Sequence, residues 1–319
     1  MLISLLSSLS LIAPAVAGGG PWVVGDNQTS LYVGTESQRL ESLAQSSGSY
    51  ADDVIDVGGI STFGAKGILS YGLTPRIELE GSVPMYSVRA LRDDAEVCDL
   101  LASNACDDNR GVGVITLRGK ALMVDEVYGP PLSVALGPEL RLGELTADTR
   151  EQLTNIGEGT TDLGAFLALG RTGILGSAGA WSSSGEFGWR HRFPNTNYDG
   201  GLSVPGNEFY ANIEALFGGS LRWAVGPAIT AYARPDGVDV EELLSNPDYT
   251  QDKDRLSALR TYAFQAGAKA LVRSSGRITF STSFYRTLYA VNNPSDVTTI
   301  TVGLTVQDLF KMGPDIMSY

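Results

Sequence analysis

Apolar and polar residues alternate along much of this chain in runs of about ten. That period of two puts successive side chains on opposite faces of an extended strand. In the run 76–86, Ile77, Leu79, Gly81 and Val83 share one face while Glu78, Glu80 and Ser82 share the other. A helix would mix the two sets. The run 112–124 sets Ile115, Leu117, Gly119, Ala121 and Met123 opposite Thr116, Arg118 and Lys120. In 209–217, Phe209, Ala211, Ile213, Ala215 and Phe217 oppose Tyr210, Asn212 and Glu214; in 277–285, Ile278, Phe280 and Phe284 oppose Thr279, Ser281, Ser283 and Tyr285. Extended over the chain, the pattern predicts strands near 28–36, 59–72, 76–87, 112–125, 132–143, 160–171, 177–193, 206–217, 220–234, 260–272, 277–290 and 297–310. The fold class this predicts is all-β, an antiparallel transmembrane barrel of about twelve strands.

The connections carry the same message. Short turns at 73–76, 126–131, 172–176, 218–219 and 273–276 alternate with longer polar pieces at 37–58, 88–111, 144–159, 194–205 and 235–259, and with a shorter one at 291–296. A barrel with tight periplasmic turns and long external loops requires this alternation, which puts both termini on the periplasmic side. A soluble sandwich does not. Trp181 and Trp189 share one face of the seventh strand; along a tilted strand they stand roughly 20 Å apart in depth, the spacing of two aromatic girdles. Pro138 and Pro227 fall in mid-strand, each after a glycine, and predict bulges.

The opening residues 1–17 hold an apolar run and Ala15-Val16-Ala17, the pattern of a removable secretory signal, although no Lys or Arg precedes the run. The alternative is a short N-terminal anchor helix. The remainder divides into an N-terminal periplasmic segment at 18–27, the barrel at 28–310 and a tail at 311–319. After residue 17 no apolar stretch is long enough for a helical span. Membrane insertion therefore requires a closed barrel, because unpaired backbone groups in lipid are too costly.

Composition agrees with this picture. Of the 319 residues 43% are hydrophobic and 18% charged, with 38 glycines and 13 tyrosines. The net charge of −13 excludes a nucleic-acid partner. Cys98 and Cys106, close together in an acidic stretch, predict a disulfide stapling one loop in an oxidising compartment. The acidic groups around these cysteines and at 236–242 either bind divalent cations, bridging to lipopolysaccharide, or form solvated loop surface.

With the apolar face turned to lipid, the other face lines the lumen. The residues it places there are Lys66, Glu78, Glu80, Arg118, Lys120, Glu139, Arg141, Asp162, Glu186, Arg190, Glu208, Glu214, Arg222 and Lys269. Acids and bases nearly balance, so they cross-pair, either as a constriction that selects solutes or as a plug that stiffens the barrel. No catalytic residue, metal site or cofactor is expected. A barrel phospholipase needs a His with a Ser two residues later, whereas the single histidine, His191, is followed by Arg192 and Phe193 and reads as an interfacial residue at a strand end. An omptin-like protease lacks its His and paired acids above the lumen.

Two segments resemble a known family. YGLTPRIELEGSVPMY at 71–86 and GEGTTDLGAFLALGR at 157–171 are similar to motifs of outer-membrane proteins associated with phenol meta-pathway degradation and regarded as transporters. The resemblance implies an outer-membrane barrel that passes small hydrophobic or aromatic solutes; it carries over no catalytic residue. TITVGLTVQDLF, ending in Phe310, resembles the C-terminal assembly signal read by the barrel-assembly machinery, but nine residues follow it and Asp308 interrupts its apolar face. The expected partners are outer-membrane lipid, lipopolysaccharide and a small-molecule solute. A surface-structural or adhesion barrel with partner-binding acidic loops is the alternative.

Overall fold

Each alternating run forms a strand whose apolar face has only lipid to meet, so the sheet must curl until its edges pair. In the structure, a computed structural model, residues 20–44, 54–90, 108–143, 160–174, 179–193, 206–220, 222–237, 260–274, 277–294 and 296–308 are described. They form β1 (Thr29–Ala44), β2 (Val54–Thr74), β3 (Ile77–Ala90), β4 (Asn109–Val112), β5 (Ile115–Val124), β6 (Ser133–Leu142), β7 (Thr161–Ile174), β8 (Ala180–Arg192), β9 (Glu208–Ser220), β10 (Trp223–Arg234), β11 (Thr261–Arg273), β12 (Ile278–Val291), β13 (Asn293–Pro294) and β14 (Val297–Gln307).

Consecutive strands pair antiparallel, and β1 pairs both β2 and β14. The sheet is thereby closed. β4 continues β5 along the edge of β3, and β13 is a two-residue bridge to the end of β1, which leaves a barrel of twelve staves. Short turns join β2–β3, β5–β6, β7–β8, β9–β10 and β11–β12 at one end. The chain enters and leaves the barrel at that end, where Asp308 N–H donates to Thr29 O at 2.6 Å.

The outer wall is the expected apolar belt. Leu79, Leu117, Leu163, Ile213, Phe284 and Ile300 all stand between 44% and 51% exposed. Among the described residues, charged or imidazole side chains reach it near the strand ends, at Arg39, Arg89, Arg110, Arg171, His191 and Arg286. Trp181 lies opposite Phe217 and Trp189 opposite Phe209, so each tryptophan has an aromatic neighbour at its own end of the belt. His191 is exposed, bonds Asn207 at 3.0 Å and lies between the rings of Trp189 and Phe193.

Several strands run past their predicted ends. β1 continues to Ala44 and β2 begins at Val54, so much of the expected 37–58 loop is a projecting hairpin with a register shift between Leu40 and Ser42. The last strand ends at Gln307. The predicted strand 112–125 is broken: the inward-facing Pro84 has no N–H for the ladder, pairing skips from Ser82↔Thr116 to Met85↔Val112, and Gly113 N–H caps Pro84 O at 2.8 Å.

The bulges expected at Pro138 and Pro227 do not form. β6 runs through Pro138 in constant register with β7, and on the β5 side pairing lapses between Arg118↔Glu139 and Ala121↔Leu136 without a shift. β10 does the same at Pro227, between Val225↔Phe217 and Ala228↔Glu214. The preceding glycines explain this. A Cβ on Gly137 would overlap the Gly119 carbonyl and one on Gly226 the Ala215 carbonyl, so bare backbones press together and no extra residue is needed. Inside, Tyr32 lies flat on Gly34 and Gly303, Tyr86 on Gly64 and Gly113, and Tyr210 on Gly188.

Candidate functional site

Alternation alone dictates which side chains enter the lumen; burial then demands that charges among them pair. The paired charges lie on β3 and on β5 to β11. At mid-height, Arg118 on β5 reaches Glu139 on β6 at 3.1 Å, Glu186 on β8 at 2.6 Å and Glu80 on β3 at 3.9 Å. It also stacks 3.9 Å above the Phe166 ring and donates to Tyr210 Oη at 3.1 Å. Arg190 bonds Glu139 and lies 4.1 Å over the Tyr210 ring.

Toward the long-loop end the centre is one carboxylate. Glu208, fully buried, meets Arg141 and Arg190 at 3.4 Å, Arg192 at 3.2 Å and Arg234 at 3.0 Å, and accepts from Tyr232 Oη at 2.9 Å. Asp162 takes a second bond from Arg141 at 2.7 Å and one from Thr160 Oγ1 at 2.8 Å. Toward the short-turn end, Lys120 pairs with Glu78 at 3.2 Å, and farther round Lys269 pairs with Glu214 at 2.6 Å. Half-buried Lys66 lies in the electrostatic reach of Glu80 and Glu36.

The opposite wall has a different chemistry. Inward positions of β12 are Thr279, Ser281, Ser283, Tyr285 and Thr287, and those of β14 are Val297, Thr299, Thr301, Gly303 and Thr305. Ser283 and Thr301 bond each other, and Gln265 on β11 donates to Thr287 at 3.2 Å.

Of the segment 18–27, expected as periplasmic, the described residues 20–27 cross the short-turn mouth inside the barrel. Val23 packs against Leu122, Ala135, Phe166, Ala168 and Tyr210. Val24 N–H donates to Glu78 at 2.6 Å, Trp22 Nε1–H to Glu126 at 3.4 Å, and Asn27 N–H to Gly72 O at 2.9 Å. Glu126 also accepts from Thr172 Oγ1 at 2.8 Å, tying two short turns to this strap.

Of the sequence-predicted lumen residues, Glu78, Glu80, Arg118, Lys120, Glu139, Arg141, Asp162, Glu186, Arg190, Glu208, Glu214 and Lys269 all enter ion pairs inside the barrel. Arg222 stands apart: it is exposed in the short β9–β10 turn, because the strand stops at Ser220 and resumes at Trp223. Sequence reasoning missed Glu36, Arg192 and Arg234. Each keeps the parity of an inward neighbour, Tyr32, Arg190 and Tyr232, and that parity was the available signal. Cys98 and Cys106, and most of the acidic loops, lie outside the described residues. Among the described residues no group of His, Cys, Asp and Glu is arranged to hold a metal ion.

An uncharged belt around a closed antiparallel barrel, with the charges gathered inside, is the signature of a strand-built membrane protein. The COG4313 outer membrane channel from Pseudomonas putida F1 superposes with a TM-score of 0.65 at 16% identity, over 92% of this chain and 99% of that one. The chain has the fold of an outer-membrane channel. Likeness to the NanC porin is looser, with a TM-score of 0.44 at 10% identity over 86% of this chain and 98% of that one. For the TodX deltaS2S3 mutant monoaromatic hydrocarbon channel the figures are 0.43 and 10%, over 96% and 94%. No family model and no curated protein matches the sequence.

Proposed function

We propose that this outer-membrane barrel is a channel for the passive passage of small solutes, hydrophobic or aromatic ones among them. The observation that carries the reading is the ionic network of the lumen, whose members bond across non-adjacent staves beneath an outer belt free of charge. Such a network narrows the interior to a polar constriction, which discriminates by size and by the field of its charges. Arg118 sits where that field is set, with Glu80, Glu139 and Glu186 gathered on one guanidinium. The hydrophobic and aromatic solute class rests on the resemblance of 71–86 and 157–171 to the phenol-pathway family.

Planar-bilayer recording tests the reading. Folded protein is expected to give voltage-dependent single-channel currents. Arg118→Ala, which leaves three carboxylates without their shared cation, is expected to shift selectivity toward cations. Silent bilayers from folded protein would make the network a structural plug and overturn the reading.

A further inference from the structure

At the short-turn end, beside the strap, the inner wall turns aliphatic. Ile174 on β7, Leu216 on β9, Ala224 on β10 and Leu271 on β11, with Trp181 and Trp223 at the rim, surround an open-mouthed cavity of about 600 Å³. That volume lies within the roughly 300–1,000 Å³ of small-molecule sites. Leu216 is 3% exposed, whereas Ile174 is 82% exposed, an aliphatic side chain left uncovered beside an otherwise polar interior.

Two cations border the same cavity. Arg222 and Arg273 both line it, and the Arg273 N–H donates to Arg222 O at 2.6 Å, which holds the β9–β10 turn against the end of β11. None of the described lining residues is acidic. A neutral hydrocarbon would find the wall but have no use for the guanidinium groups. An organic cation would be repelled by them. An anion with a compact hydrocarbon body satisfies both, because a carboxylate takes strong charge-assisted bonds from arginine while the body covers the aliphatic wall.

We propose that this vestibule binds a small organic carboxylate, its hydrocarbon body on Ile174, Leu216 and Leu271 and its carboxylate toward Arg222 and Arg273. The proposal deepens the channel reading and rests on it for its biological sense, since it gives a ligand class to the short-turn mouth of the lumen.

Binding is tested apart from conduction. Trp181 and Trp223 line the cavity, while Trp22 and Trp189 lie elsewhere, so intrinsic fluorescence of the full chain in lipid nanodiscs reports occupancy. The probes share one body: cyclohexanecarboxylate, cyclohexylmethanol and cyclohexylammonium. The carboxylate is expected to give a saturable change at a concentration at least tenfold lower than the alcohol, and the ammonium none. Arg273→Gln and Ile174→Glu are each expected to weaken the carboxylate at least tenfold, with heat-modifiable gel mobility unchanged. Equal response to the three probes, no saturable response, or full binding in both folded variants would overturn the proposal. Binding without bilayer currents would leave the vestibule standing and remove the channel reading; currents without binding would do the reverse.

Discussion

The two sides of the lumen solve the same problem, polar groups out of water, by different means. On β3 and β5 to β10 the groups are ionic, and their bonds leap across staves: Arg118 on β5 to Glu186 on β8, and Arg141 on β6 to Glu208 on β9. On β12 and β14, and at Gln265 of β11, they are hydroxyls and an amide, and their bonds stay between neighbours, as in Ser283 with Thr301 and Gln265 with Thr287; Lys269 of β11 still belongs to the ionic side, through Glu214 on β9. The difference follows from reach and cost. A buried charge must find its counter-charge however far across the lumen it lies, and long guanidinium arms make that possible. A hydroxyl is satisfied by whatever stands beside it. The ionic side therefore braces the barrel's cross-section, and the hydroxyl side only seals its own sheet.

The largest effect that separates the two sides is expected at Glu208. Glu208→Ala removes the one carboxylate that four arginines share and should lower unfolding stability by about 3–5 kcal/mol, the cost of breaking a buried ion pair. Thr301→Val across the lumen should cost about 1 kcal/mol. Urea unfolding in phospholipid vesicles measures both, and equal costs would dissolve the distinction. The outer wall should not know which side it backs: Leu79→Arg and Ile300→Arg, on opposite flanks, should each cost about 2–4 kcal/mol in the same assay. A wide gap between them would mean that the halves differ in their lipid surroundings and not only in their interiors. The smallest effect sharpens the account of the glycine–proline pairs. Pro138→Ala should change stability by less than about 0.5 kcal/mol, since the ladder already skips that position without a bulge. A large loss would show the ring itself to be needed.

How much of this was legible in the sequence depended on whether a feature lives within one strand or between distant ones. The inward charges on Ile77–Ala90 and Ile115–Val124 were legible, because parity fixes a side chain's face regardless of context. Their partners were not. Whether Arg118 meets Glu186 depends on the stagger accumulated over three hairpins, which no local pattern encodes. Trp22, Val23 and Val24 follow no period at all, so their place inside the mouth comes only from pockets that other strands build, Glu78 and Glu126 among them. Pro138 and Pro227 misled because proline argues for a bulge, while the fit of Gly137 and Gly226 against facing carbonyls is set by neighbouring strands.

The closure of β1 on β14 ties residue 30 to residue 307. That seam cannot zip until the last strand of the chain has been made, so the growing sheet must carry two raw edges through the whole of its synthesis. Hairpins joined by the short turns can form early and locally, whereas the final ladder from Ser30↔Gln307 to Leu40↔Val297 waits for both ends of the polypeptide to meet. A chain cut short before Val297 would lose not one stave but the ring, and would present its neighbours with an open template for sticking together.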